Sequence, residues 1–311
     1  MSDSEEDKVE TAIVPVGDAA LASKLSHEFD FDGASGASYE AYSVAGKALV
    51  ATSTYKILVV KLPSGQLGLG MVAATVADNW LVEKQQHILA TLLEMAKAED
   101  EGVAHAPNYG ALFPTLVDTF DTGGDEARAG LVMGFNPTVK TYKQLIPLAV
   151  ALKGKRVDLQ TGTWMLSKML KLLDFVHAQD FALNFVDETN YLIEPDLHGA
   201  FVLNWMDTIE DGVTDDDKSA DITALAELVW RAAGGTATAN PPHDADVMSK
   251  DGYDRFIAYL KHLIAEPNSA GEEMTALLAL ADTIWERVPD PGGYTADGKK
   301  RPFHLWKTYS L

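Results

Sequence analysis

Residues Thr161 to Asp207 carry the strongest structural pattern in the chain and read TGTWMLSKMLKLLDFVHAQDFALNFVDETNYLIEPDLHGAFVLNWMD. The first part predicts a helix from Trp164 to His177, because its apolar residues recur at the spacing of a buried helix face. A loop follows, and then a short strand that ends at Ile193. A polar turn leads from there into a second strand, Ala200 to Trp205, so the two strands are predicted to form a hairpin.

This succession of helix, loop and hairpin resembles the catalytic loop and metal-binding hairpin of the protein kinases. His177 matches the histidine that often ends the kinase helix, and Leu183-Asn184-Phe185 stands at the His-Arg-Asp position. Asn190 matches, by type and spacing, the kinase asparagine that holds magnesium. Asn204-Trp205-Met206 stands at the Asp-Phe-Gly position. The layout of a kinase site is present, but its reactive side chains are not.

The resemblance covers roughly residues 42 to 306 and is closest to a divergent bacterial kinase-like family. Pieces of that family's pattern are Ala77-Asp78-Asn79, His198-Gly199 and Arg301-Pro302-Phe303. The resemblance implies a pseudokinase with an α+β, bilobal protein-kinase-like fold. Such a fold has a small antiparallel β-sheet lobe with one helix and a larger, mainly helical lobe.

The lobes are predicted with the following boundaries. Residues 1–38 form an acidic, partly disordered extension, residues 39–135 the small lobe with a helix over 79–96, and residues 136–311 the helical lobe. Ala19 to Leu25 is predicted to form one or two helical turns, and Asp32 to Ser38 a loop. In the large lobe we expect helices from Thr141 to about Leu152, from an Asp221 cap to Ala232, from Tyr253 to Ala265 and from Ala270 to Val288.

Two positions of the small lobe lack the charges of a kinase. When Ala77-Asp78-Asn79 is aligned with the related family, Met71 replaces the strand lysine that grips phosphates, and Gln85 replaces its glutamate partner. Loss of both charges is coherent, since one unpaired buried charge costs about 3 to 5 kcal/mol. Alternatively, Gln85 simply forms a hydrogen bond within a lobe interface. Lys61 is a rival for the lysine position, and we expect it to be a solvated strand residue.

The catalytic positions of the large lobe are also altered. Phe185 has no side-chain oxygen to orient an attacking hydroxyl, and Asn204 offers a neutral amide where a carboxylate would hold the metal. The nearby carboxylates Asp180, Asp187 and Glu188 do not have the kinase spacing, so we expect solvated loop residues. No catalytic residue is therefore expected.

The resemblance leaves a vestigial nucleotide cleft as the candidate cofactor site. Its candidate residues are Met71, Gln85, Met133, Asn190 and Asn204, with Met133 to Pro137 as the hinge between lobes. The turn that would cover the phosphates, Val50 to Thr54, contains no glycine. We expect no cofactor and no metal, and ATP with magnesium belongs to an active alternative. Within the short acidic segment Thr208 to Asp221, the adjacent residues Asp215 to Asp217 are predicted to form a solvated turn rather than a metal-binding loop.

Composition restricts the possible partners. The 46 acidic residues exceed the 25 basic ones and give a net charge of -21, so most of the surface repels nucleic acid and anionic membranes. The absence of cysteine excludes disulfides and thiolate sites. Neither a signal peptide nor a run of about 20 apolar residues is present, so we expect a cytoplasmic protein.

Together these observations predict a catalytically inactive module that binds another protein. An active phosphotransferase that uses Lys61, Glu83 and one of the nearby acids is an alternative. A sensor that binds a small ligand in the former nucleotide cleft is another.

Overall fold

The computed structural model describes residues 24–101, 108–135, 145–184, 187–194, 199–236, 242, 249–285 and 308–310. The chain divides into two compact units. The first comprises Met1–Val150, Tyr191–Glu194 and Phe201–Met206, and the second comprises Ala151–Asn190, Pro195–Ala200 and Asp207–Leu311. The predicted α+β class is confirmed, since the first unit contains an antiparallel sheet and the second is mainly helical.

The sheet of the first unit has buried side chains on both faces. Its strands are β1 (Leu25–Asp32), β2 (Ser38–Val44), β3 (Val50–Ala51), β4 (Tyr55–Lys61), β5 (Leu67–Ala73), β6 (Thr115–Asp121) and β7 (Ala129–Gly134). They lie in the order β1-β2-β4-β5-β7-β6, with the short β3 beside β4. Phe31, Val60 and Phe120 belong to the apolar cluster on one face. Because side chains alternate along a strand, buried Met71 and Leu131 face the other way.

Helix α1 (Asn79–Asp100) packs against β5, β6 and β7. The predicted helix is confirmed and continues beyond residue 96 to Asp100. It follows a 3-10 turn, Val76–Asp78, at which Thr75 and Asp78 form a capping box. Its buried residues are Val82, Gln85, Ile88, Leu89, Leu92 and Ala96. Gln85 is therefore a polar side chain within an otherwise apolar helix face.

The sheet begins at Leu25, upstream of the predicted lobe boundary at residue 39. Leu25 starts β1 and does not end a helix, and residues 33–37 form the connection to β2. The β1 sequence hides this strand because it is mostly exposed, with Phe31 as its buried residue. Exposed polar residues at the edge of a sheet read as loop or tail in the sequence.

The turn between β1 and β2 is fixed to β6 at the other side of the sheet. The Ala34 amide donates to the Thr119 carbonyl at 2.7 Å, and the rings of Phe31 and Phe120 stack with centroids 4.0 Å apart. The Asp118 carboxylate accepts hydrogen bonds from the Ser35 amide at 3.1 Å, from the Ser35 hydroxyl and from the Tyr39 hydroxyl at 3.0 Å. These contacts bring the first and last strands of the sheet together.

The protonation of Asp118 follows from this environment. Burial raises the pKa of Asp118, but the hydrogen bonds from Ser35, Thr119 and Tyr39 outweigh burial and leave the pKa below its ordinary value. Burial and the adjacent carboxylate raise the pKa of Tyr39. Asp118 is thus an ionised acceptor within the protein. Gly33 permits the contact, since a Cβ at that residue would lie 2.0 Å from the Asp118 Oδ2 atom.

The remaining strands and helices are as follows: β8 (Ile146–Pro147), α2 (Leu148–Ala151), β9 (Lys155–Val157), α3 (Leu159–Ala178), β10 (Tyr191–Glu194), β11 (Gly199–Val202), α4 (Asp215–Ala232), α5 (Lys250–Ala265), α6 (Ala270–Ile284) and β12 (Thr308–Ser310). In the first unit β8 pairs with β10, and in the second β9 pairs with β12. Helix α3 packs against α4 and α6, and α4 packs against α5.

Helix α3 confirms the predicted helix at Trp164 to His177 and is longer, because Asp158 caps it by accepting the Thr161 amide at 2.6 Å. The predicted short strand that ends at Ile193 corresponds to β10, and the strand predicted over 200–205 corresponds to β11, which ends earlier, at Val202. The helix predicted over 141–152 was only partly correct in the described part: Leu148–Ala151 form the four-residue α2, but residues 146–147 before it form a strand. Residues 141–144 and the end of the helix predicted to Val288 lie outside the described residues.

The acidic stretch Asp215 to Asp217 is the first turn of α4, so its prediction as a solvated turn was wrong. Thr214 is the N-cap residue and forms a capping box with Asp217. Hydrogen bonds from the Thr214 hydroxyl and amide lower the pKa of Asp217. Carboxylates in the first turn are favourable because they face the positive end of the helix dipole. Asp221 consequently lies within the helix and does not cap it.

No helix in the described part of the chain is long and apolar enough to cross a membrane.

Candidate functional site

Met71 is a core residue of the first unit. It lies on β5 between Ile57 of β4 and Leu131 of β7, and it has no exposed surface. Met133, the candidate hinge residue, is equally buried on β7 and pairs with Leu69 and Leu116. A thioether is at most a weak acceptor, so neither side chain can hold an anionic oxygen.

Gln85 uses both polar atoms of its side chain on a distant backbone segment. Its Nε2 atom donates to the Leu203 carbonyl at 2.9 Å, and its Oε1 atom accepts from the Trp205 amide at 2.6 Å. Gln85 has no exposed surface, and its Nε2 atom also lies 3.9 Å from the Met133 sulfur. The amide thus ties α1 to the backbone on either side of Asn204.

The segment after β11 is held by further local contacts. The Asn204 Oδ1 atom accepts from the Met206 amide at 2.8 Å, and the Trp205 Nε1 atom donates to the Val202 carbonyl at 3.2 Å. The Trp205 ring is fully buried, with its centroid 5.2 Å from that of Phe113. Asn204 therefore has a structural partner within its own turn.

In the second unit, Asn190 ends a loop that Asp187 organises. The Asp187 Oδ1 atom accepts from the Thr189 amide at 2.7 Å, from the Thr189 hydroxyl at 2.6 Å and from the Asn190 amide at 3.2 Å. This is an Asx-type turn in which the carboxylate serves the backbone. Asn190 is 4% exposed. Phe185 lies outside the described residues.

Asp221 is a functional candidate that the sequence prediction misplaced. Its buried carboxylate accepts from the Leu183 amide at 2.7 Å, the Asn184 amide at 2.7 Å and the His177 Nε2 atom at 3.0 Å. Asn184 has a positive φ of 55°, a conformation that asparagine tolerates better than most residues. The sequence contains one indication of this role, an aspartate directly before an apolar helix stripe.

Solved structures with similar folds are protein kinases. A structure titled vaccinia related kinase 3 matches with a TM-score of 0.58 and 11% identity, covering 84% of this chain and 92% of that chain. The PknI kinase domain of Mycobacterium tuberculosis matches with a TM-score of 0.50 and 15% identity, covering 78% of this chain and 96% of that chain. The chain has the protein-kinase-like fold. No protein-family model matches the sequence, and no curated protein matches it.

Lys61 of the kinase-like fold forms a surface ion pair. Its Nζ atom lies 3.1 Å from the Glu40 Oε1 atom on the neighbouring strand β2. The Lys61 side chain is 49% exposed and the Glu40 side chain is 42% exposed. The Tyr42 hydroxyl and Lys61 both donate hydrogen bonds that lower the pKa of Glu40. These are the contacts of a solvated strand lysine.

The carboxylates that the active alternative would use also have local roles. Asp180 pairs with Lys218 at 3.2 Å and Glu188 with Arg231 at 3.4 Å, and the Asp180 and Glu188 side chains are 89% and 43% exposed. Glu83 is exposed on α1. Among the described residues, no group of three His, Asp or Glu side chains is placed to hold a metal ion.

Proposed function

We propose that this kinase-like chain is catalytically inactive and acts as a binding or regulatory module. The two hydrogen bonds that the Gln85 side chain forms with the backbone of Leu203 and Trp205 support this proposal most directly. A kinase needs a carboxylate at this position to pair with its lysine. Here an amide donates to one backbone group and accepts from another, a combination that an ionised carboxylate cannot provide.

The other altered positions support the same conclusion. Phosphoryl transfer depends on placing a triphosphate, magnesium and an acceptor hydroxyl against charged groups. Met71 is an apolar core residue, and the Asn204 side chain accepts a backbone hydrogen bond. At the position of the catalytic acid the sequence has Phe185, whose side chain neither accepts nor donates a proton.

An exposed apolar surface supports a protein partner for the module. Val76, in the 3-10 turn that precedes α1, is 48% exposed, and Trp80, in the first turn of α1, is 60% exposed. Tryptophan is enriched among residues that dominate the binding energy of protein interfaces. We therefore propose that the partner contacts this surface.

Binding and transfer of nucleotide test catalytic inactivity. A ligand at 100 times its Kd stabilises a protein by about 2.7 kcal/mol, which is readily seen as an increase in Tm. We expect no magnesium-dependent increase in Tm with ATP and no radiolabelled phosphate on added protein substrates. Lys61→Ala serves as the matched variant and is expected to behave like the wild type. A magnesium-dependent shift together with transfer that Lys61→Ala abolishes would contradict the proposal.

Affinity capture from the native source tests the partner surface. Trp80→Ser is expected to release partners that the wild type retains, without lowering the free energy of unfolding, because Trp80 is largely exposed. Val117→Ser is the control, since Val117 is 40% exposed on β6. Equal capture by Trp80→Ser and wild type would place the partner elsewhere.

A further inference from the structure

The outer edge of β1 is unpaired in the described part of the chain. Strand β1 (Leu25–Asp32) bonds to β2 along one edge and is the terminal strand of the sheet. Beyond the strand, the Ala34 amide donates to the Thr119 carbonyl of β6 at 2.7 Å, but among the described strands β6 forms no ladder with β1 itself. The backbone donors and acceptors along this edge are therefore available to another strand.

The register of the β1–β2 hairpin shows which backbone groups face this edge. The Gly33 amide donates to the Ala37 carbonyl at 2.8 Å, and hydrogen-bonded pairs then recur at every second residue of an antiparallel ladder. Phe31 consequently directs its amide and carbonyl to β2. Asp30 and Asp32 direct theirs outward, away from β2.

The side chains beside this edge are acidic. Asp30 and Asp32 lie on one face of β1, two positions apart, and Glu28 precedes them at a bulge in the strand. All three are exposed. The Asp30 Oδ1 atom lies 2.7 Å from the His27 Nε2 atom, whereas Glu28 and Asp32 have no ion-pair partner among the described residues. A strand that binds here therefore meets negative charge.

A second copy of the chain is a poor occupant of this edge. Pairing of β1 with its own copy would place Glu28, Asp30 and Asp32 against the same carboxylates, and like charges on facing strands are destabilising. The net charge of -21 adds repulsion between copies. Charged side chains on the edge strand thus disfavour self-association and favour a strand of opposite charge.

We propose that the outer edge of β1 binds an extended segment of a partner protein with lysine or arginine at alternate positions. The segment adds a strand to the sheet, and its backbone bonds to the outward amides and carbonyls of Asp30 and Asp32. Its basic side chains recur on one face with the period of a strand and lie beside the carboxylates. This surface is separate from that of Trp80 and does not depend on whether the chain transfers phosphate.

Titration of the full chain with a synthetic peptide tests the edge. The probe has four lysine–threonine repeats with blocked termini, and a second peptide of the same sequence has every backbone amide N-methylated. The methylated peptide keeps the charges but cannot donate to a strand. We expect the probe to bind with one-to-one stoichiometry in calorimetry at low salt, and the methylated peptide to bind at least about tenfold more weakly. Equal affinities, or no binding by the probe, would overturn the proposal.

Amide hydrogen exchange reports on strand pairing directly. In the free chain the outward amides of Asp30 and Asp32 should exchange faster than that of Phe31, which donates to β2. At a probe concentration ten times its Kd, exchange at Asp30 and Asp32 should slow by about tenfold, while that of Val132 on β7 is unchanged. Binding without slower exchange at these two amides would refute pairing along the edge.

Two substitutions of Asp30 separate backbone pairing from charge. Asp30→Pro removes the outward donor, a change that an edge strand tolerates, and should weaken probe binding at least about tenfold. Asp30→Asn keeps the donor and should weaken binding less than about fivefold, because exposed ion pairs contribute little. Equal losses would indicate attraction by charge alone and would contradict strand addition.

Trp80→Ser is the control for the other exposed surface of the first unit. It should bind the probe with wild-type affinity. A loss of affinity equal to that of Asp30→Pro would place the peptide on the surface of α1 and overturn the assignment to β1. Urea unfolding of each variant separates loss of binding from loss of structure, and the methylated peptide tests the wild-type chain independently of any substitution.

Discussion

Replacing Gln85 with glutamate gives a sharp test of the amide's role. A protonated carboxyl can reproduce both native contacts, since its O–H donates to the Leu203 carbonyl and its C=O accepts the Trp205 amide. An ionised carboxylate loses the donor and places two oxygens near a carbonyl in a fully buried site. The introduced group should therefore remain protonated in the folded protein, with its pKa raised.

The sign and size of the effect follow from proton linkage. A raised folded pKa leaves stability intact below the unfolded pKa of about 4.3, and stability is lost as pH rises toward the folded pKa. The loss grows by about 1.4 kcal/mol per pH unit, so Gln85→Glu should cost about 1.6 kcal/mol at about pH 5.5 and about 3.7 kcal/mol at about pH 7 if the folded pKa exceeds 7.

Urea unfolding of variant and wild type at the same pH values measures this difference. Measurements above about pH 5.5 stay clear of the isoelectric point near 4.6, where solubility is lowest. Gln86→Glu adds the same charge one residue along α1, at a half-buried position, and should show no such slope. A pH-independent loss, or no loss, in Gln85→Glu would refute the assigned hydrogen bonding.

Three further outcomes are expected, each from unfolding in urea. Asp118→Asn should lower stability by about 1 to 3 kcal/mol, and the loss should shrink as pH falls through the depressed pKa of Asp118, where the wild-type contribution also disappears; a constant difference would argue against an ionised Asp118. Asp221→Ala should lower the free energy of unfolding by about 3 to 5 kcal/mol, because the buried groups that donate to Asp221 would lose their acceptor. Asp216 is exposed, so Asp216→Ala should lower it by less than about 1 kcal/mol. Equal effects of the two substitutions would contradict the role of Asp221 as a buried hydrogen-bond acceptor. Gly130→Ala should cost about 1 to 3 kcal/mol, because its Cβ would lie 2.2 Å from the Phe120 ring; a neutral result would mean that the ring moves freely.

Local periodicity allowed the central elements to be predicted. Helix α3 and strands β10 and β11 followed from apolar spacing, and the resemblance supplied the fold class. Strand β1 was missed because its outward residues are polar and its pairing with β2 contributes no local apolar pattern. The start of α4 was missed because three aspartates resemble a solvated turn when their capping residue, Thr214, is not recognised.

The partners of the candidate residues were beyond sequence reasoning. Gln85 was recognised as a polar member of a buried stripe, but its partners Leu203 and Trp205 lie 118 and 120 positions away. Asp221 similarly bonds to groups 37 to 44 positions away. Helical spacing reveals which face is buried, whereas such distant pairings depend on how the elements pack.

The contact between the β1–β2 turn and β6 matters for anyone who expresses part of this chain. A fragment that starts at residue 39, where kinase resemblance suggests a natural beginning, would remove Phe31 and leave the Asp118 carboxylate without its Ser35 donors. It would uncover aromatic surface and the backbone of β2, a combination that promotes edge-to-edge aggregation. Recombinant work on the small unit should therefore retain the residues from Lys24 onward.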